Sequence, residues 1–159
     1  HDGYLLIGGL MMKLDQNRPT AVVLWPKSRA TARRIFSDTS TAVFRDDFIY
    51  SARSFGEFIC VDAKTGEQLW ETDKVTDSKS GASVHATATG DTVLLYNDRG
   101  ELIRARLTPQ GYQELSRARV LEPPATWGRH CAWAAPAFAN HHIYARTNKE
   151  LVCASLAIE

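Results

Sequence analysis

A hairpin pattern that returns after 44 residues constrains this chain more than any other feature of it. The run Asp47-Phe48-Ile49-Tyr50 through Gly56-Glu57-Phe58-Ile59-Cys60-Val61 meets, without a gap, Asp91-Thr92-Val93-Leu94 through Gly100-Glu101-Leu102-Ile103-Arg104-Ala105. Both copies read strand, polar turn with glycine, strand. His142-Ile143-Tyr144-Ala145-Arg146 followed by Glu150-Leu151-Val152-Cys153-Ala154 is a third copy, one residue shorter. A degenerate fourth opens the chain: residues 4–9, 11–15 and 21–25 read as its strands, with Asp15 and Trp25 in the places of Asp62 and Trp70. Several short strands per unit at this period predict an all-β fold of propeller blades, each with four antiparallel strands.

The expected blades span about 1–26, 41–73, 83–120 and 131–159, so three and a half to four are present in a single partial propeller. The second is expected at 41–44, 48–52, 57–62 and 68–72, and the third at 84–89, 93–97, 102–107 and 113–119. The first lacks a clear innermost strand, and the last shows only three strands, at 133–139, 143–146 and 151–156. The connector 121–127 carries Pro123-Pro124 and reads as irregular.

Composition narrows the function classes. A hydrophobic share of 44% and a charged share of 23% describe an ordinary globular chain with a real core. Nineteen basic residues against eighteen acidic ones leave +1, which argues against a nucleic-acid or bulk membrane-surface role. No apolar run approaches the about 18 to 20 residues of a helical membrane span. The opening His-Asp-Gly-Tyr has no signal-peptide pattern and reads as an excised start. Cys60, Cys131 and Cys153 form no Cys-x-x-Cys pair and read as free thiols. Cys60 and Cys153 hold equivalent places two blades apart, too far for a disulfide.

The stretch Cys60-Val61-Asp62-Ala63-Lys64-Thr65-Gly66-Glu67-Gln68-Leu69-Trp70 carries the clearest local signature. Asp62 is placed to accept backbone N–H groups of the following turn, and Gly66 to supply a positive φ. Trp70 on the returning strand is suited to a seam between packed sheets. The pattern Asp-x-x-Thr-Gly-x-x-x-Trp, with Cys60 where an alanine is usual, resembles the tryptophan-docking repeat of the pyrroloquinoline-quinone (PQQ) type propellers. That family includes BamB-type outer-membrane assembly proteins and quinoprotein dehydrogenases. The resemblance implies the C-terminal part of a propeller of seven or eight blades, in an extracytoplasmic, periplasmic setting. Cys60, Asp62, Thr65, Gly66 and Trp70 would then form a structural docking motif. The expected partners are a protein, or the remaining blades of the same propeller, with self-association through open strand edges.

Candidate chemistry is sparse. His85 and His130 stand on or near expected innermost strands and, with Trp133, are candidate channel-lining residues. His130-Cys131 and His141-His142 are the dense groups from which a metal site could be built, although the latter falls in an expected hairpin turn. Lys27, Arg29, Arg33 and Arg34 make a basic connector, read as a solvated face. No catalytic residue emerges, and no Gly-x-Ser-x-Gly elbow or phosphate loop is present. The leading expectation is a non-catalytic, BamB-like binding scaffold without a cofactor. The alternative is a PQQ-dependent alcohol or sugar dehydrogenase, for which the resemblance implies quinone stacked on a tryptophan (Trp127 or Trp133) and a calcium held by carboxylate and amide oxygens. The adjacent cysteine pair of the alcohol-oxidising relatives is missing from this sequence.

Overall fold

The computed structural model describes residues 3–27, 35–54, 56–76, 83–123, 125–126 and 129–157. Every regular element among them is a β-strand. Four sheets follow one another along the chain, each built only from consecutive antiparallel strands. The first holds β1 (Tyr4–Ile7), β2 (Leu10–Leu14) and β3 (Ala21–Trp25). The second holds β4 (Val43–Arg45), β5 (Phe48–Ala52), β6 (Phe58–Asp62) and β7 (Gln68–Thr72). The third holds β8 (Val84–Thr89), β9 (Thr92–Asn97), β10 (Glu101–Thr108) and β11 (Gly111–Arg119). A two-residue ladder, β12 (Ala125–Thr126) with β13 (Arg129–His130), precedes the last sheet of β14 (Ala137–Ala139), β15 (His142–Arg146) and β16 (Leu151–Ser155). This is the partial propeller that the repeat predicts.

The core lies between the sheets, because alternate side chains of a strand point to opposite faces. In the second sheet Ile49, Ile59 and Val61 pack with Met11 and Trp25 of the first. Tyr50, Ala52, Phe58 and Cys60 pack with Val84, Leu95 and Ile103 of the third. Tyr96 and Leu102 of the third then meet Ile143 and Ala145 of the last. A sheet apolar on both faces has to be sandwiched, and each fully buried side chain of this size stabilises by about 1.5–3 kcal/mol.

Three local differences from the sequence reading have simple causes. The innermost strand of the last sheet begins at Ala137, not at Trp133, because Pro136 has no N–H to give to the ladder. The connector after Leu121 is not wholly irregular: Ala125 and Thr126, just beyond the two prolines, keep their N–H groups and pair with His130 and Arg129. In the hairpin between β14 and β15 the turn residues are Asn140 and His141, both at positive φ (49° and 58°), so His142 belongs to β15. Arg29, Arg33, Arg34 and Trp127 lie outside the described residues.

Candidate functional site

Two groups of residues join one sheet to the next. The first is at the hairpin after β6. Asp62 Oδ1 accepts the backbone N–H groups of Lys64 and Thr65, both at 2.8 Å. Asp15 does the same for Asn17 and Arg18 in the first sheet, at 2.8 and 3.1 Å. Burial pushes the Asp62 carboxyl up, but the N–H groups of Thr65 and Lys64 outweigh it and hold the group below its ordinary range. Thr65 Oγ1 accepts from Glu67 N at 3.2 Å, and Gly66 closes the turn with φ of 77°.

This turn receives a tryptophan from the sheet before it. Trp25 Nε1 donates to Ala63 O at 2.8 Å, and its ring lies over Gly66 so closely that a Cβ there would sit 2.7 Å from Trp25 Cδ2. One blade further on, Trp70 Nε1 donates to Thr108 O, also at 2.8 Å. Trp70 rests against Tyr50 and Phe58, with ring centroids 5.8 and 6.4 Å away. Beneath it Cys60 is fully buried, and burial raises its thiol pKa to about 11. The sequence placed Trp70 in a seam; the structure adds that each indole reaches forward, thirty-eight residues along the chain, to a backbone carbonyl of the following sheet.

The second group runs along the inner edges. Thr41 and His85 form a parallel bridge between the second and third sheets, with Thr41 N donating to Val84 O at 3.0 Å. Ser83 Oγ donates to Thr39 O at 2.8 Å, and Val84 N donates to Ser40 Oγ at 2.9 Å. His85 Nε2 is 3.2 Å from Trp133 O, a carbonyl that can only accept, so the ring proton belongs on Nε2. Nδ1 shares a hydrogen bond with the Thr41 hydroxyl, at 3.1 Å. The structure therefore brings His85 and Trp133 together, with Thr41, which sequence reasoning did not single out. The signal available for it was a Ser/Thr run, 39–41, one repeat ahead of 83–85. His130 sits on the exposed short ladder with Nδ1 3.1 Å from Pro123 O, and takes no part in the His85 contacts. His142 Nδ1 is 2.6 Å from Asn140 O. Among the described residues no group of three His, Cys, Asp or Glu converges on a metal-sized site.

The stacked antiparallel sheets of three or four strands, the first three tied one to the next by indole hydrogen bonds, define the class: a partial β-propeller of PQQ-like repeats. A family model described as outer membrane protein assembly factor BamB matches residues 14–154, and the chain belongs to that family. None of the curated proteins matches the sequence. Among solved structures, the chain is similar to BamB from Moraxella catarrhalis, with 19% identity and a TM-score of 0.58 over 96% of this chain and 41% of that one. It is also similar to a europium-containing methanol dehydrogenase (13% identity, TM-score 0.48, 89% of this chain and 34% of that one). A quinohemoprotein alcohol dehydrogenase, ADHIIG from Pseudomonas putida HK5, matches at 16% identity and a TM-score of 0.49, over 89% of this chain and 27% of that one. The chain thus spans less than half the length of the structures it matches. No helix among the described residues is long and apolar enough to cross a membrane.

Proposed function

We propose that this chain is part of a non-catalytic propeller that binds a protein partner in outer-membrane protein assembly, outside the cytoplasm. The observation that carries this reading is β3. It is the outer edge strand of its sheet, yet Val22 and Val23 are 65% and 50% exposed and Leu24 beside them is also exposed. At the places of Val22 and Val23 the corresponding outer strands are polar, with Gln68 on β7 and Gln113 and Glu114 on β11, whereas the place of Leu24 is apolar in all three, held by Leu69 and Leu115. Among the described residues β3 pairs on one side only, with β2, and an apolar strand so placed offers backbone groups and side-chain anchors to an added strand. The family description supplies the setting. Both ring nitrogens of His85 lie within hydrogen-bond distance of groups from other repeats, the Thr41 hydroxyl and Trp133 O, and the residue is read as a tie between repeats. The docking contacts of Asp62, Gly66, Trp25 and Trp70 are read as the device that holds the scaffold rigid.

The test has two arms on the full chain. A photo-reactive amino acid at Val23 is expected to give one discrete adduct with a component of the outer-membrane assembly machinery in cell envelopes; no adduct at that position overturns the partner reading. PQQ with calcium and an alcohol or aldose donor is expected to give no turnover; saturable dye reduction overturns the scaffold reading.

A further inference from the structure

One seam of this propeller is built differently from the other two. Each outer hairpin carries the same irregularity, a register shift immediately after Met11, Cys60 and Arg104. Directly across from these residues stand Trp25, Trp70 and Ser116. Ser116 therefore occupies the place of the two tryptophans. Arg104, which is exposed, occupies the place of the fully buried Met11 and Cys60. The walls correspond too. Trp70 rests on Tyr50 and Phe58, whose counterparts one repeat later are Leu94 and Leu102. Trp25 donates to Ala63 O, and Ala63 N in turn donates to Asp47 O at 2.8 Å; Leu156 N makes the matching bond to His141 O at 2.7 Å. Leu156 is thus the counterpart of Ala63 on the last sheet.

Among the described residues this seam, which has no indole, shows a cavity of about 510 Å³ lined by Leu94, Leu102, Arg104, Ser116 and Leu156, with Thr92 at its side. The size lies within the range of about 300–1,000 Å³ typical of small-molecule sites. Apolar cavities left by a missing side chain take up aromatic guests of matching shape. Its charge is distinctive. Arg117 at the rim is engaged by Glu101 and Glu114. Arg104, by contrast, makes no salt bridge among the described residues: its Nε is 3.4 Å from the hydroxyl of buried Thr92, and its charge is felt by Asp91, whose own salt bridge is to Arg106.

We propose that the seam between the third and last sheets is a binding site for a small planar aromatic anion. The ring takes the place that an indole holds in the other two seams, between Leu94 and Leu102 on one side and Leu156 on the other. The anionic substituent pairs with the Arg104 guanidinium, which replaces the apolar floor of those seams. This assignment is independent of the scaffold reading, since it concerns a different edge and a different class of ligand.

Indole-3-carboxylate and uncharged indole are the probes, titrated into the full chain with methyl-labelled leucines and followed by NMR. Saturable shifts at Leu94, Leu102 and Leu156 with the carboxylate are expected. Ser116→Trp restores the missing side chain, so it is expected to abolish those shifts and to raise the melting temperature. Arg104→Met, which copies the first seam, is expected to weaken the carboxylate about tenfold or more while leaving indole binding unchanged. No saturable shift at millimolar probe overturns the proposal. So does equal loss of both probes in Arg104→Met, or carboxylate binding that survives in a folded Ser116→Trp. Arg104→Met keeps the test decisive if Ser116→Trp does not fold.

Discussion

Replacing Gly66 by alanine isolates the contact on which the stacking of sheets depends. Two costs arise at this position. An alanine at φ of 77° enters the left-handed region, for about 1–2 kcal/mol. Its Cβ would also sit 2.7 Å from Trp25 Cδ2 and 2.9 Å from Cγ. The ring cannot easily retreat, because its Nε1 is held at 2.8 Å by Ala63 O. Overpacking against a fixed group adds about 1–3 kcal/mol. Gly90 is the control: its φ is 59°, and a Cβ there meets nothing within 4 Å. Gly90→Ala is expected to cost about 1–2 kcal/mol, and Gly66→Ala about 2–5 kcal/mol. Trp25→Ala alone costs about 3–5 kcal/mol as a buried aromatic truncation. In that background the clash is gone, and Gly66→Ala should cost no more than Gly90→Ala. The assay is urea unfolding followed by circular dichroism, since fluorescence changes with the tryptophan. A coupling energy below about 0.5 kcal/mol between positions 25 and 66 would mean the sites are independent and would refute the reasoning.

Other consequences follow from the same geometry. Glu114 lies against Arg117 and the Tyr112 hydroxyl, and the Arg117 guanidinium draws its carboxyl pKa down to about 2 from an ordinary 4.5. A depressed carboxyl stabilises the fold above its unfolded pKa and loses that effect as pH falls. Glu114→Gln should therefore lower the urea midpoint at pH 7, with the difference shrinking from about 4.5 downward and vanishing near 2; an unchanging difference contradicts the pairing. Iodoacetamide on the native chain should label exposed Cys153, while Cys60, buried and raised to about 11, and buried Cys131 react only after unfolding. Three reactive thiols before unfolding would contradict the burial. Trp70→Phe keeps a ring between the sheets but removes the hydrogen bond to Thr108 O, at an expected cost of about 0.5–1.5 kcal/mol beyond the lost ring area.

The strands and their grouping were legible because each of them alternates apolar and polar or is apolar on both sides, and because a period shared by three hairpins leaves few folds open. Asp62 and Gly66 were legible for a different reason: the turn chemistry is local, so a few adjacent residues determine it. What each tryptophan touches was not legible, because the acceptor of Trp25 lies in the next sheet and no local pattern names Ala63. His85 showed the same limit. Its residue type and inner position pointed to a channel, but its partners Thr41 and Trp133 come from the segments leading into the sheets on either side, and only the folded stack puts both within reach. The shortened strand at Ala137 was readable in principle from Pro136, and the repeat register outweighed it. The vacant seam could be suspected from the missing tryptophan of the third repeat, but the cavity needed the register shift at Arg104 to locate Ser116.

The indole protons report most directly on whether successive sheets are joined in this manner. In a nuclear Overhauser spectrum of the labelled chain, the Trp25 indole N–H should show cross-peaks to Ala63 and Gly66, and the Trp70 indole N–H to Thr108. Cross-peaks confined to each tryptophan's own sheet, with both indole protons exchanging as fast as free tryptophan, would contradict the stacked architecture.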